Sequence, residues 1–247
     1  MAAPGDAEEP DDEACVRLMI APAERLYDPL PAEPLEVAAE WLAEAWRLGA
    51  QRNPNAMTLA TSTRDGRPSA RIVLCKEIVA RPGYVVFYTN YHSRKGRELA
   101  QNPRAAAVFH FDALQCQVRL EGRVEKAPEA DSDAYFASRS VASRLSAWAS
   151  AQSAPIESRE KLRTAVDAAA RRFGASGVSP ERPPGAADMF VPRPPHWGGY
   201  RLWAEGVELW VEGANRIHDR ARWSRELRQR ADGRIEAGAW SVTRLQP

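Results

Sequence analysis

The sequence predicts a mainly β, α+β protein built on an antiparallel sheet or barrel with flanking helices. Five short runs rich in β-branched and aromatic residues fall within about 70 residues. Turn signals separate these runs, and Arg64-Asp65-Gly66 is the clearest, because Asp-Gly favours tight hairpins. Only one helical stretch, at residues 93–101, interrupts the runs, whereas a parallel sheet would need a crossover between successive strands.

The remaining elements follow from local patterns. The first 14 residues are acidic and almost without large apolar groups, so residues 1–33 are predicted to form a largely disordered tail. A single domain is expected over residues 34–247. It begins with a helix of about 14 residues, in which apolar side chains recur at helical spacing between Pro34 and a stop at Gly49. The other predicted elements are strands at 57–63, 68–78, 84–90, 105–111 and 115–126, a helical middle at 130–173, a loop at 174–195, and strands at 200–204, 207–211 and 240–245.

Composition excludes several classes of protein. The chain has 247 residues, of which 44% are hydrophobic, enough for a sizeable core. No apolar run reaches the roughly 18 residues of a membrane helix, and a net charge of +1 provides no overall field for nucleic acid or anionic lipid. Three scattered cysteines show neither a disulfide pattern nor metal-ligand spacing. We therefore expect a cytoplasmic protein without a metal site.

Two adjacent cations follow a helix start at Ser93, which has the side chain of a good N-cap. The first turn of a helix carries partial positive charge, so Arg94 and Lys95 are unfavourable there unless an anion compensates them. A bound phosphate would supply that anion, and two solvated side chains are the alternative.

A strand at 68–78 carries two further cations, Arg71 and Lys76. They are five residues apart, hence on opposite faces of a regular strand. Either the strand bulges, or the two cations serve different groups around one extended ligand. Pairing of Arg71 with a carboxylate is an equally open interpretation.

Two more polar sets are candidate binding groups. Tyr135 and Arg139 are four apart in a predicted helix, and Ser143 continues the same face if the helix runs on. Together they could bind a phosphate or simply form a polar helix surface. Arg216, His218 and Arg220 alternate, so an extended segment would project all three to one side. Such a cluster is costly without an anion or an electron-rich ligand.

Nine motifs in order make the sequence resemble the pyridoxamine 5′-phosphate oxidase family from about Leu30 to Pro247. They are NAMTLATSTRDGRPSARIVLCK, VVFYTNYHSRKGREL, QVRLEGRVEK, YFASR, WASAQS, RPPHWGGYR, ELW, NRIHDR and the terminal RLQP. Each motif alone is weak, and their order is specific.

The resemblance implies a split β-barrel of antiparallel strands with flanking helices, forming a homodimer with two FMN sites at the subunit interface. The cofactor-binding residues that it implies are Arg71, Ile72, Val73, Leu74, Cys75, Lys76, Tyr88, Thr89, Arg94, Lys95, Gln117, Gln152, Ser153, Trp210 and Arg220. The substrate-binding residues that it implies are Lys76, Tyr135, Arg139, Ser143, Arg216 and His218, of which Arg216 and His218 are the expected catalytic pair.

The implied reaction is oxidation of pyridoxamine or pyridoxine 5′-phosphate to the aldehyde, with transfer of a hydride to FMN and reoxidation by oxygen to give hydrogen peroxide. Two alternatives stay open. One is a related flavin oxidase of phenazine biosynthesis, against which the four candidate phosphate ligands argue. The other is a non-catalytic module that binds flavin or pyridoxal phosphate.

Several positions depart from the family pattern. Cys116 stands where the family usually has Arg, and the stretch from Ser140 to Ala147 differs from the usual sequence after Arg139. The loop at 174–190 is longer than usual, and Arg17-Leu18-Met19-Ile20 lacks the Tyr of an N-terminal Arg-x-x-Tyr. These changes affect the expected cofactor-binding residues less than the expected substrate-binding residues.

Overall fold

The computed structural model describes residues 25–26, 28–49, 51–175 and 190–247. Most of the predicted tail, the Arg17-Leu18-Met19-Ile20 segment and most of the long loop lie outside the described residues. The chain divides into two compact units. Unit 1 takes its described residues from 1–54, 109–119 and 206–247, and unit 2 from 55–108 and 120–205.

Six antiparallel strands form a barrel in unit 2. They are, in chain order, β1 (Ala56–Ser62), β2 (Pro68–Val79), β3 (Tyr84–Asn90), β4 (Arg104–Phe111), β5 (Cys116–Lys126) and β6 (Trp197–Val211). Only part of each of the last three strands belongs to unit 2, namely residues 104–108, 120–126 and 197–205. The pairing order is β6-β3-β2-β1-β4-β5, and β5 also pairs with β6, which closes the barrel. The antiparallel barrel that the sequence predicts is confirmed.

The β1–β2 hairpin shows how the sequence sets the register. Ala56 pairs with Leu74 and Ser62 with Pro68, and the Thr63 amide donates to the Arg67 carbonyl at 3.0 Å across the predicted Asp-Gly turn. Because alternate strand residues point to opposite faces, one face can be fully apolar. The largest side chains buried inside unit 2 include Met57, Leu59, Val85, Phe87, Leu120 and Leu202.

Five helices flank the strands in the described part of the chain. They are α1 (Pro34–Leu48), α2 (Arg94–Gln101), α3 (Glu129–Ser138), α4 (Val141–Ala149) and α5 (Arg159–Arg172). The first two confirm the predicted helices. The predicted helical middle is three helices because Ser140 and Ser158 each cap a new one, accepting from the amides of Ser143 and Lys161.

Unit 1 contains a second antiparallel arrangement. Residues 206–211 of β6 pair with β7 (Asp219–Ser224), which pairs in turn with β10 (Ser241–Leu245), and β8 (Leu227–Gln229) forms a hairpin with β9 (Ile235–Ala237). Two predictions are wrong here. The strands expected at 200–204 and 207–211 are one strand, and β7 was not predicted, because its buried Ala221 and Trp223 alternate with charged neighbours that resemble a loop.

Part of the predicted tail is described and packs within unit 1. The Arg25 guanidinium donates to the Glu44 carboxylate of α1 at 2.6 Å, and Leu26 is buried. The Trp223 indole donates to the Pro31 carbonyl at 2.8 Å. The chain before α1 is therefore attached to unit 1 by these contacts.

Cys75 and Cys116 are both buried free thiols, as expected for small apolar residues in strands. Burial raises the pKa of each thiol to about 12, so neither is a thiolate at neutral pH. Within the ranges that the structure describes, no helix has both the length and the apolar character to cross a membrane.

Barrel closure depends on a close approach at Gly122 of β5. A Cβ atom at this position would lie 1.9 Å from the backbone carbonyl oxygen of Trp203 in β6. We expect Gly122→Ala to lower the free energy of unfolding by about 2 kcal/mol, because the clash is with backbone that cannot move aside locally. Urea denaturation measures the loss. Gly238→Ala, at an exposed glycine whose nearest neighbour would be 3.3 Å away, is the matched control, and an equal loss in both variants would contradict the interpretation.

Candidate active site

A cavity of about 610 Å³ lies in unit 2 and is lined by residues of that unit alone. It is lined by residues of β2, β3, β6, α2, α3 and α4, and of the segments on either side of α4. The residues of the expected flavin set that line it are Ile72, Val73, Leu74, Lys76, Tyr88, Thr89, Lys95 and Gln152. Lys76, Tyr135, Arg139 and Ser143 of the expected substrate set line the same cavity.

The β2 strand bulges at Lys76. The register against β3 shifts between Cys75 and Glu77, which leaves Lys76 without a cross-strand partner. Its side chain is exposed and lines the cavity, and its ammonium lies 5.6 Å from the centre of the Tyr135 ring. The bulge, which was one of the two open interpretations of this strand, is thus present.

Arg71 and Arg94 do not line the cavity in this structure; both pair with the buried carboxylate of Glu98. The Arg71 guanidinium is 3.3 Å from Glu98 Oε2, and Arg94 Nε donates to Glu98 Oε1 at 2.9 Å. The hydroxyls of Thr61 and Ser69 donate to Oε2 at 2.5 and 2.6 Å. Glu98 therefore forms ion pairs with both cations, including Arg94, for which the sequence suggested a bound anion.

These contacts determine the charge state of Glu98. Burial alone would raise the pKa of this carboxyl, but the hydrogen bonds from Ser69, Thr61 and Arg94, with the charge of Arg71, lower it to about 2. Glu98 is only 4% exposed. It is consequently a buried anion throughout the physiological pH range.

Lys95 is a buried cation with a different environment. Its ammonium donates to Thr89 Oγ1 at 3.1 Å and to Gln152 Oε1 at 3.0 Å, both neutral oxygens. Burial, together with the positive charge of Arg71, lowers the pKa of Lys95 from 10.5 to about 8. Thr89, Lys95 and Gln152 all line the cavity, so an anion there would meet a cationic donor that has no ion pair among the described residues.

The expected phosphate ligands come together by a route that the sequence did not predict. Tyr135 lies on α3, but that helix ends at Ser138, and Ser143 lies on α4 after the cap at Ser140. The expectation of one continuous helical face is wrong, because Ser140 begins a new helix. Tyr135, Arg139 and Ser143 nevertheless line the same cavity.

Arg139 connects α3 to α4 and carries an unpartnered donor. Its Nη1 atom is buried without a hydrogen-bond partner. Its guanidinium carbon lies 4.7 Å from the centre of the Trp197 ring and 5.5 Å from that of Phe136. Burial lowers the pKa of the guanidinium, because it disfavours the charged form. An anionic ligand would stabilise that charge.

Three aromatic rings form a stack along the cavity wall. Tyr88 stacks on Tyr135 with the ring centres 4.0 Å apart, and on Trp197 with the centres 5.5 Å apart. Interplanar angles of 20° and 12° keep the rings nearly parallel. Such a wall suits a planar aromatic ligand. The Lys76 ammonium lies near the Tyr135 ring and the Arg139 guanidinium over the Trp197 ring.

Sequence reasoning missed several cavity residues. They are Asn90, Ser140, Ser146, Ala147, Ser150 and Trp197. Asn90, Ser150 and Trp197 belong to the motifs VVFYTNYHSRKGREL, WASAQS and RPPHWGGYR. The motifs therefore pointed to their segments, although the residue types did not single them out. Of the expected flavin set in unit 2, Cys75 and Ser153 also do not line the cavity.

The other expected site residues lie in unit 1. Arg220 donates to Glu208 Oε1 from Nε at 3.0 Å and from Nη2 at 2.8 Å, and Arg119 donates to Glu208 Oε2 at 3.0 Å. Glu208 is buried. Trp210 is the cross-strand partner of Arg220, and Gln117 lies near the start of β5.

The segment before β7 is a tight loop, so the expected extended alternation of Arg216, His218 and Arg220 is wrong. Asn215 and Arg216 have left-handed φ values of 52° and 65° within a short 3-10 turn. A Cβ at Gly213 would lie 1.7 Å from the Ile217 carbonyl oxygen, which explains the glycine.

His218 is oriented by this loop. Its Nδ1 accepts from the Gly213 amide at 3.2 Å, so the neutral ring carries its proton on Nε2. The ring lies 4.6 Å from that of Trp210, measured between centres. Among the described residues, no group of three or more His, Cys, Asp or Glu is placed to hold a metal ion.

Two family profiles match the chain. One is described as pyridoxamine 5'-phosphate oxidase and matches residues 44–173; the other is described as the pyridoxine 5'-phosphate oxidase C-terminal dimerisation region and matches residues 197–247. The split-barrel class that the fold defines includes flavin-binding oxidases. The chain belongs to the pyridoxamine 5′-phosphate oxidase family, and its dimerisation region supports a homodimer.

Individual relatives agree with this membership. Pyridoxine/pyridoxamine 5'-phosphate oxidase of Burkholderia mallei strain SAVP1 is 50% identical over 208 residues, which are 84% of this chain and 86% of the relative. The corresponding protein of Burkholderia thailandensis is 49% identical over the same length and shares.

Solved structures are also similar. PhzG from Burkholderia lata 383, in complex with tetrahydrophenazine-1-carboxylic acid, has a TM-score of 0.72 and 32% identity over 89% of this chain and 95% of its own. A pyridoxamine 5'-phosphate oxidase-related, FMN binding protein from Nostoc punctiforme PCC 73102 has a TM-score of 0.61 and 17% identity over 88% and 100% of the chains. The second similarity concerns the fold alone.

The Glu98 contacts predict an acid-labile element of stability. A carboxyl whose pKa is lower in the folded than in the unfolded protein adds stability above the unfolded value, and loses it as pH falls through the folded value. We therefore expect the stabilising contribution of Glu98 to be lost as the pH falls from its ordinary pKa of 4.5 to about 2. Glu98→Gln should lower the unfolding free energy at pH 7 by about 2 kcal/mol and flatten its pH dependence in that window.

Urea denaturation between pH 3 and pH 7 measures both effects of Glu98→Gln. Glu160→Gln, which alters an exposed carboxylate of α5 in an exposed ion pair, is the control and should leave the curve nearly unchanged. An unchanged pH dependence in Glu98→Gln would contradict the assignment.

Proposed function

We propose that this protein catalyses the FMN-dependent oxidation of pyridoxamine or pyridoxine 5′-phosphate to pyridoxal 5′-phosphate, with O2 as oxidant and H2O2 as product. The observation that carries the proposal is the convergence of Lys76, Tyr135, Arg139 and Ser143 on one cavity. Two cations and two hydroxyls form a donor set suited to a phosphate monoester. The buried, unpartnered Nη1 of Arg139 supports it further, because such a donor is costly without a ligand.

The residues of the cavity also fit FMN. Lys95 is a buried cation that donates only to neutral oxygens, which suits a phosphate group. By resemblance, the backbone from Arg71 to Lys76 and the side chains of Tyr88, Thr89, Arg94 and Gln152 would hold the rest of the cofactor. Ser153, Gln117, Trp210 and Arg220 complete the proposed set. Bound FMN would supply the hydride acceptor and its reoxidation by O2.

The protein's own contribution is orientation and charge compensation. In this proposal the four phosphate ligands fix one end of the substrate, and the aromatic wall of Tyr135, Tyr88 and Trp197 excludes water along one side. Arg216 holds the pyridine ring, and His218 orients the substrate or handles a proton. The hydrogen bond from the Gly213 amide leaves Nε2 of His218 as the atom that carries the proton.

A related flavin oxidase of the phenazine type is the second candidate. It is favoured by the structural similarity to PhzG. The retained phosphate ligands and the relatives at about 50% identity favour the vitamin B6 reaction. A non-catalytic flavin or pyridoxal phosphate module would bind without turnover.

One assay separates these functions. The purified protein is reconstituted with FMN, its visible spectrum is recorded, and pyridoxine 5′-phosphate is added in air while aldehyde and peroxide are followed. Formation of both products in equal amounts is expected. A yellow protein without turnover would leave the other two candidates, and a protein that cannot bind FMN would exclude all three.

The proposed roles of Arg216 and His218 predict losses in turnover. Arg216→Ala and His218→Ala should each lower kcat/KM for pyridoxine 5′-phosphate by roughly a hundredfold without changing FMN content. Steady-state kinetics measure the loss. Arg228→Ala, at an exposed arginine of β8 in unit 1, is the control. Near-normal kcat/KM in both active-site variants would remove them from the mechanism.

The lowered pKa of Lys95 predicts a pH-dependent affinity for FMN. An anion binds the protonated ammonium, so affinity should be nearly constant below pH 8 and fall as pH rises above about 8. Lys95→Met should weaken binding by roughly tenfold or more and abolish this dependence. Quenching of flavin fluorescence measures affinity from pH 6 to pH 9.5.

Lys126→Met is the matched control for Lys95→Met. Lys126 is a lysine of unit 2 whose ammonium lies against Tyr91, and it does not line the cavity. The variant should bind FMN like the wild-type protein. If Lys95→Met retained the wild-type pH dependence, another group would be responsible for it.

A further inference from the structure

The guanidinium of Arg139 has no carboxylate partner among the residues that the structure describes. Its contacts are instead two aromatic faces, with the Trp197 ring centre at 4.7 Å and the Phe136 ring centre at 5.5 Å. Trp197 itself is 7% exposed and lines the cavity. Within the described ranges, the partly buried guanidinium is thus held mainly by cation–π contacts.

This environment differs from that of the other arginines near the cavity. Arg71 and Arg94 are both held by Glu98, and a carboxylate occupies the same in-plane N–H groups that an anionic ligand would use. An aromatic face attracts the guanidinium from above its plane and leaves the in-plane donors free. The unpartnered Nη1 of Arg139 agrees with this difference.

Trp197 is itself fixed in orientation. Its ring stacks on Tyr88 at 5.5 Å and meets Phe136 edge-on at 5.0 Å, measured between ring centres. The residue begins β6, where Asn90 of β3 is its cross-strand partner. A tilt of the indole would move the surface against which Arg139 lies.

We propose that Trp197 is a positioning residue that sets the specificity for a phosphorylated substrate, because its indole face holds Arg139 with its in-plane donors free for the phosphate. The proposal rests on the proposed function for the identity of the substrate. It assigns to Trp197 a role in phosphate recognition rather than in the chemical step. Removal of the indole should therefore weaken binding of the phosphate and spare turnover of bound substrate.

Trp197→Leu and Trp197→Phe test the proposal in the FMN-loaded protein. Cation–π contacts of a desolvated cation predict a rise of roughly ten- to thirtyfold in KM for pyridoxine 5′-phosphate in the leucine variant. The phenylalanine variant, which keeps an aromatic face, should recover part of the loss. We expect kcat to change less than threefold. KM for unphosphorylated pyridoxine should rise much less than KM for the phosphate ester, because pyridoxine loses only the contribution of Trp197 to the aromatic wall. Equal rises in KM for both substrates would overturn the proposal.

Trp148→Phe is the matched control. Trp148 is another partly buried tryptophan of unit 2 with an arginine on its face, Arg172 at 4.5 Å, and it does not line the cavity. This variant should keep the wild-type KM. A similar rise in KM would show that the loss reflects general packing.

A double-mutant cycle tests whether Trp197 and Arg139 act together. If Trp197 acts through Arg139, Trp197→Phe should add little to the effect of Arg139→Lys, which already removes the planar guanidinium. Effects on KM that multiply independently would contradict the proposed coupling.

Calorimetry with inorganic phosphate on the FMN-loaded protein gives a readout that needs no turnover. Phosphate affinity should fall in Trp197→Leu and in Arg139→Lys, and be unchanged in Trp148→Phe. If the wild-type protein does not turn over pyridoxine 5′-phosphate but phosphate affinity falls in Trp197→Leu, the proposed substrate is wrong and the role of Trp197 in phosphate recognition stands. If the wild-type protein turns over pyridoxine 5′-phosphate but phosphate affinity is unaltered in Trp197→Leu, the proposed substrate stands and the role of Trp197 is wrong.

Discussion

The cost of burying a cation is the constraint on which the architecture of unit 2 depends. A buried charge requires a partner of opposite charge. In this unit some cations have a carboxylate partner and others do not. Glu98 forms ion pairs with both Arg71 and Arg94. Lys95 and Arg139 have no ion pair within the described residues, and both line the cavity. The free charge is therefore concentrated where an anionic ligand can bind.

Backbone features deliver these side chains to the cavity. The bulge in β2 presents Lys76, the capped start of α2 buries Lys95, and the break between α3 and α4 places Arg139 at the cavity. Each feature interrupts a regular element. Such interruptions direct side chains to places that a regular strand or helix would not reach. The irregular positions of unit 2 are therefore also the positions that bring cations to the cavity.

Local patterns predicted the elements well where one rule governed each of them. The α1 helix follows the spacing of its apolar residues, and the β1–β2 hairpin follows its Asp-Gly turn. Prediction was wrong where two signals competed. The helix through Arg139 breaks because Ser140 favours a cap, and β7 was missed because charged residues alternate with its buried ones.

The sequence by itself determined the antiparallel fold and, through the order of nine motifs, the family and most of the cavity residues. Periodicity and turn chemistry are local, so they can be recognised without coordinates. Only the tertiary structure decided which cations are compensated, because Glu98 is 27 residues from Arg71 and the Trp197 ring is 58 residues from Arg139. These two contacts depend on distance in space, and spacing along the chain does not encode them. The Arg94–Glu98 pair, by contrast, is four residues apart on α2 and follows from helical spacing.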